Sequence, residues 1–178
     1  MEKKKTTNKF KLPIIIIVVI VAIVFVILWL LFFQPNKLTH NPKDTDIDTI
    51  IKQLDGVKTT CLVTENNDPN GNLNKQGGYT GAVYFRLSQV DDELKKEKFS
   101  TPLTDDACKE GTDGGGQIEI YADKSTAAKR NDYLSTLDGF LSGGSHTQEG
   151  TLIIRISDKL TNSQQKGITT KIISLLNK

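Results

Sequence analysis

The sequence predicts an α+β protein: one transmembrane helix, then a small, mostly antiparallel sheet of about four strands with helices against one face. Three observations lead there. Residues 13–33, PIIIIVVIVAIVFVILWLLFF, hold no charged side chain across 21 positions. At 1.5 Å per residue that is about 31 Å of helix, the thickness of a bilayer's hydrocarbon core. Beyond them, four segments with strand character are interleaved with segments of helical periodicity. Only one strand–helix–strand succession has the form of a crossover, which favours an antiparallel arrangement over a doubly wound parallel sheet.

A single span must be helical, because the bilayer core offers its backbone no other hydrogen-bond partners. Lys3, Lys4, Lys5, Lys9 and Lys11 precede it, and only Lys37 and Lys43 lie close after it. Lysine-rich flanks stay in the cytoplasm, and Trp29, Phe32 and Phe33 cluster where an aromatic belt would sit at the exit. The sequence LLFFQPNKLTHN follows, with no small-residue cleavage site, and the first cysteine is Cys61. An uncleaved anchor therefore fits better than a cleaved signal peptide or a lipoprotein anchor. The expected organisation is a basic cytoplasmic tail (1–12), a transmembrane helix (13–33), a linker holding Pro35 and Pro42 (34–43) and an extracytoplasmic domain (44–178). The expected location is the cell membrane, single-pass, with the amino terminus inside.

The chain has 23 Lys and Arg against 21 Asp and Glu. Setting aside the five tail lysines and Glu2 leaves 18 against 20. The basic excess thus belongs to the tail, where it suits anionic lipid, and not to a basic face that would bind nucleic acid. Cys61 and Cys108, placed outside the cytoplasm, read as one disulfide. Loop closure would then contribute about 4 kcal/mol. Two free structural thiols or a reactive thiol are the alternatives, and the absence of a C-x-x-C spacing disfavours a redox pair.

In the outer chain, Asp44 or Thr45 can cap a first helix whose Ile47, Ile50, Ile51 and Leu54 recur at i, i+3, i+4 and i+7, with Gly56 as the stop. Val57–Glu65 reads as a strand. Asn66–Gly78 is turn-rich. Gly81–Leu87 reads as a second strand, sending Val83, Phe85 and Leu87 to one face and Ala82, Tyr84 and Arg86 to the other. The charged run Asp91–Lys98 reads as a solvated helical turn or loop. Gln117–Ala122 is a third strand. Asp123 can cap a helix to about Asp138, with Ala127, Leu134 and Leu137 inward and Lys129, Arg130 and Asp132 outward. Gly139–Gly150 reads as a flexible connection and Thr151–Ser157 as the fourth strand. Thr161 and Gln164 form a capping box for the last helix, whose apolar positions are Ile168, Ile172, Leu175 and Leu176.

Asn66-x-Asp68-x-Asn70-Gly71 matches the first half of a calcium loop, but Gly77 stands where the closing glutamate belongs. An Asp-Pro-Asn-Gly turn needs no metal, so Asn66, Asp68 and Asn70 are only a weak calcium candidate and no cofactor is expected. Gly111–Gly116 precedes a strand instead of opening a helix, unlike a phosphate loop. His40 and His146 are scattered and do not make a zinc site. Ser145 beside His146 is not a triad, since adjacent side chains seldom converge with an acid. The acidic pairs Asp91/Asp92 and Asp105/Asp106 lie in hydrophilic stretches.

Several short stretches occur together in order. Asp68-Pro69-Asn70-Gly71 precedes Gly77-Gly78-Tyr79-Thr80. Then come Gly115-Gly116-Gln117-Ile118-Glu119-Ile120-Tyr121, the helix motif Ala127-Ala128-Lys129-Arg130-Asn131-Asp132-Tyr133-Leu134, and Leu152-Ile153-Ile154-Arg155-Ile156-Ser157 with Leu160-Thr161. This pattern resembles a family of small secreted or membrane-anchored proteins of Gram-positive bacteria, chiefly actinobacteria, with no assigned activity. It departs at the loop NLNKQ after Gly71 and at Gly167. The resemblance implies an envelope location and a shared fold, and no catalytic residue. Arg130, Tyr133 and Arg155 are the notable polar members of the matching segments and the candidate binding residues.

Place and architecture are thus better defined than activity. The sequence favours a non-catalytic binding or interaction module of the cell envelope. Its partners would be the lipid bilayer, through the span, and an envelope protein or cell-wall component. An envelope enzyme with an unrecognised active site, or a membrane subunit whose span binds a partner, are the alternatives.

Overall fold

The structure is a computed structural model that describes Val19, Val21, Ala22 and residues 42–97, 101–138 and 143–178. The chain divides into two units, Met1–Lys37 and Leu38–Lys178. In the first, Val19, Val21 and Ala22 are helical and exposed. The rest of the expected span, the basic tail, His40 and most of the linker lie outside the described residues. Among the described residues no helix is long and apolar enough to cross a membrane.

In the second unit, helix α1 (Asp44–Ile51) leads to strands β1 (Val57–Leu62) and β2 (Gly81–Leu87), helix α2 (Ser88–Leu94) and the single turn α3 (Ala107–Glu110). A 3-10 turn, Gly111–Gly114, enters β3 (Gly115–Ile120). Then come α4 (Lys124–Ser135), β4 (Ser145–Glu149), β5 (Leu152–Ile156) and α5 (Asn162–Leu176). The strands form one sheet in the order β1-β2-β3-β5-β4, with every neighbouring pair antiparallel.

Strand alternation divides the core. Val83, Ile118 and Ile154 are paired across β2, β3 and β5 and share a face with Phe85, Leu87, Ile120, Leu152 and Ile156. Ile47 and Ile51 of α1 and Ile168, Ile172 and Leu176 of α5 cover that face. Phe85 lies over Gly116: a Cβ there would sit 2.4 Å from the ring's Cζ. Glycine is required because the aromatic ring fills the space a side chain would occupy.

The opposite face is covered too, which corrects the expectation of helices on one side only. Ala82, Tyr84 and Ile153 pack there with Val63 and Tyr79 of the long loop, Ala107 and Cys108 of α3, and Ala127 and Leu134 of α4. Arg86, Gln117 and Glu119 are buried on it as well. A row of small, polar and aromatic residues reads as a solvated face in a sequence, because polar side chains are mostly exposed. Here Arg86 meets Gly114 and Asp91, Gln117 meets Arg155 of the neighbouring strand, and Glu119 meets Arg130 of α4.

The sheet also has a fifth strand where a flexible connection is expected. Ser145–Glu149, SHTQE, pairs with β5 at the sheet's edge and is half-buried throughout. An edge strand with polar residues on both faces lacks the alternation that marks a strand. It also changes the apparent crossover. The chain passes from β3 through α4 to the edge, and β5 returns antiparallel between β4 and β3.

Most other boundaries hold within a few residues. Asp123 caps α4, accepting the Thr126 N–H at 2.8 Å. Thr161 and Gln164 form the expected capping box on α5. At α1, however, Asp44 and Thr45 lie inside the helix, and the Asp46 carboxylate reaches back to the Lys43 N–H at 3.2 Å. The charged run Asp91–Lys98, read as a solvated helical turn or loop, begins inside helix α2, which opens at Ser88, and its Asp91 pairs with buried Arg86. β1 stops at Leu62, short of Glu65.

Candidate functional site

A buried carboxylate organises the second face. Glu119 projects from β3 with no exposed surface. Its Oε2 accepts the Tyr121 hydroxyl at 2.8 Å and the Arg130 Nε–H at 3.0 Å, and its Oε1 accepts Arg130 Nη2 at 2.9 Å. Arg155, paired with Gln117 across β3 and β5, brings Nη1 to 3.6 Å from Glu119 Oε1 and donates at 3.2 Å to Gln117 Oε1. Two guanidinium groups thus share one carboxylate. Burial opposes protonation of Arg130, but the hydrogen bond and charge of Glu119 outweigh it and raise its proton affinity. Burial, then the charge of Glu119, pushes the Tyr121 phenol well above its usual range and the Tyr84 phenol up to about 12. Both phenols therefore stay neutral and add no negative charge at neutral pH.

The loop between β1 and β2 is built on Asp68. Its carboxylate accepts the Tyr79 hydroxyl, the Asn70 N–H at 3.0 Å and the Leu73 N–H at 2.8 Å. Burial opposes ionisation of Asp68, yet the bonds from Tyr79 and the backbone hold its carboxyl below the usual range. Asn70 donates to the Tyr84 hydroxyl at 2.9 Å, pinning the loop to the sheet. Of the weak calcium candidates, Asp68 and Asn70 are thus engaged within the loop and against the sheet, while Asn66 is exposed. Among the described residues no group of three or more His, Cys, Asp or Glu is arranged to hold a metal.

Between the end of this loop and the outer face of α4 lies an open groove of about 540 Å³. It is lined by Gln76, Gly77, Thr126, Lys129, Arg130 and Tyr133. Tyr133 is 55% exposed, the one exposed large hydrophobic side chain of the domain among the described residues. The Arg130 guanidinium lies 5.6 Å from its ring centroid, at cation–π distance. Gly77 has φ +74° and open space where a Cβ would project. The groove therefore presents two cations, an aromatic ring, a hydroxyl and an amide, with no acidic side chain in its wall. Arg130, expected outward, in fact reaches beneath α4 to Glu119, whereas Lys129 and Asp132 are exposed as expected, as is Tyr133. Arg155 belongs to the buried layer below and does not line the groove.

The other sequence candidates have structural roles. Cys61 and Cys108 form the disulfide, with Cα atoms 5.5 Å apart, and tie the end of β1 to α3. Asp106 caps α3 through the Cys108 and Lys109 N–H groups at 3.0 and 3.2 Å. Asp91 joins buried Arg86 at 2.6 Å to Lys58 at 2.9 Å. Burial opposes ionisation of Asp91, and these two cations outweigh it and lower its pKa. His146 stands between Asn131 and Asp138, at 2.9 and 3.3 Å from its two ring nitrogens. Gly111–Gly116 supplies the 3-10 turn and the first residues of β3.

Sequence reasoning did not single out Glu119, Arg86 or Lys129. The clue to Glu119 is local: Gln117, Glu119 and Tyr121 alternate with Ile118 and Ile120, so one face of a central strand is polar throughout. These features define a disulfide-bridged α+β domain whose antiparallel sheet is covered on both faces. No family model matches the chain, and neither a curated protein nor a solved structure matches it at a significant level.

Proposed function

We propose that this chain is a membrane-anchored extracytoplasmic binding module of the cell envelope. Residues 13–33 hold it in the bilayer, and the domain engages an envelope protein or cell-wall component through the groove beside α4. The observation that carries this reading is Tyr133, an exposed ring with the hydrogen-bonded Arg130 guanidinium over it, in the wall of an open groove. Pre-organised aromatic and arginine side chains are the usual anchors of binding surfaces. The Cys61–Cys108 bond supports an oxidising compartment, as does the resemblance to secreted and membrane-anchored proteins. Binding is favoured over catalysis because the buried acid and the imidazole near α4 are already engaged. Both oxygens of Glu119 and both ring nitrogens of His146 have partners.

Two measurements test this. Protease added to intact cells should degrade the domain; full protection would overturn the location. The full chain in lipid nanodiscs should co-sediment with cell walls of the source organism, and Tyr133→Ala should reduce the bound fraction. Equal sedimentation of both proteins would overturn the role of the groove.

A further inference from the structure

We infer that the groove beside α4 takes an oxyanion carried on a sugar ring, with the anion against Lys129 and Arg130 and the ring against Tyr133. The inference rests on the binding reading above and narrows it to a ligand class.

Charge selects the sign. Arg130 lines the groove and shares the carboxylate of Glu119 with Arg155 beneath α4. Lys129 adds a second cation to the groove wall. It forms no hydrogen bond or ion pair among the described residues, and its electrostatic neighbour Asp123 is occupied in capping α4 through Thr126. An anion entering here meets two cations and no acidic wall.

Geometry selects a fixed, oriented contact. Arg130 commits Nε and Nη2 to Glu119. Its Nη1 makes no hydrogen bond among the described residues. A guanidinium already immobilised loses little side-chain freedom when it meets an anion. Lys129 is exposed one residue earlier on the same helix and can approach the same anion as a mobile point charge.

The remaining wall selects the carrier. Arg130 is placed against the Tyr133 ring, and more than half of that residue is open to solvent. Gln76 adds an amide, the Thr126 hydroxyl donates to Asp123 Oδ1 at 3.1 Å and keeps its oxygen as an acceptor, and Gly77 leaves its backbone open to close approach. A purely apolar ligand would need apolar walls, as small-molecule pockets usually provide. A hydroxylated ring uses both features, resting its C–H face on the phenol and directing hydroxyls to Gln76 and Thr126. The oxyanion can be a carboxylate, as in a uronic acid, or a phosphate ester.

The test uses the full 178-residue chain in nanodiscs of zwitterionic lipid, titrated calorimetrically with three probes. These are trigalacturonate (carboxylate), a mannose 6-phosphate oligosaccharide (phosphate) and neutral maltotriose. At least one anionic probe should bind about tenfold or more tightly than maltotriose, which corresponds to about 1.4 kcal/mol. Whichever binds identifies the anion. Lys129→Ala and Tyr133→Ala should each weaken that binding by about tenfold, while the melting midpoint of each variant stays near the wild-type value, because both side chains are exposed. The inference is overturned if neither anionic probe exceeds maltotriose, or if both variants bind as the wild type does. If the anionic probes fail while cell walls still retain the protein in a Tyr133-dependent way, the ligand class is wrong and the binding module stands. Loss of both results removes both readings.

Discussion

Glu119→Gln is the most informative single change in this domain. The substitution keeps shape and removes one negative charge at a site with no solvent exposure. Arg130 loses a bidentate partner that it holds at 2.9 and 3.0 Å, and Arg155 loses the carboxylate 3.6 Å away. Two partly buried guanidinium groups would then face an amide, which can accept through its oxygen but places an N–H₂ donor opposite other donors. Breaking a buried pair by removing one partner costs about 3–5 kcal/mol. The retained acceptor places this case near the lower end, about 3 kcal/mol. For a domain of this size about 2–4 °C of melting temperature accompanies each kcal/mol, so the midpoint should fall by roughly 10 °C. Calorimetric melting of the full chain in nanodiscs reads this directly. Asp92→Asn, which breaks an exposed pair with Lys95, serves as a control and should leave the midpoint unmoved. If Glu119→Gln melts within about 2 °C of the wild type, the carboxylate does not anchor this layer, and the fixed placement of Arg130 loses its basis.

Other consequences follow from the packing. Replacing Cys61 and Cys108 together by Ala opens a loop spanning 47 positions; urea unfolding should show a loss of about 4 kcal/mol, and an unchanged midpoint would contradict a structural bridge. Gly116→Ala puts a methyl 2.4 Å from Phe85 Cζ and 2.6 Å from the Arg155 carbonyl oxygen, so it should cost about 1–3 kcal/mol through overpacking. An alanine variant as stable as the wild type would show that the ring can move aside. Asp68 and Asp91 both titrate below their usual value of 3.8 in the fold. Their contribution is present above about pH 4 and is lost as pH falls through the lower folded values. The Tyr84 phenol, pushed up to about 12, gives the opposite limb: its stabilisation is present below about pH 10 and declines as pH rises from there towards 12. Melting midpoints should therefore fall at both extremes, and a midpoint flat from pH 7 down to pH 2.5 would refute the carboxylate assignments.

The sequence by itself determined whatever depends on neighbours along the chain. Val83, Phe85 and Leu87 against Ala82, Tyr84 and Arg86 followed from the period of two in an extended strand. Asp123 and Thr161 followed from the unpaired N–H groups at any helix start. The cysteine pair followed from there being only two. Tertiary structure alone decided what those faces meet. Arg130 reads as an outward residue on a weakly amphipathic helix, and it turns inward because Glu119, eleven residues earlier and on a strand, waits beneath it. Ser145–Glu149 reads as a loop, and it is a strand because β5 offers an unpaired edge. Asp68 reads as half of an ion site, and it becomes the hub of its own loop because Tyr79 and two backbone amides converge on it. Local periodicity is written in spacing, whereas the satisfaction of a buried charge depends on groups that only folding brings within 3 Å.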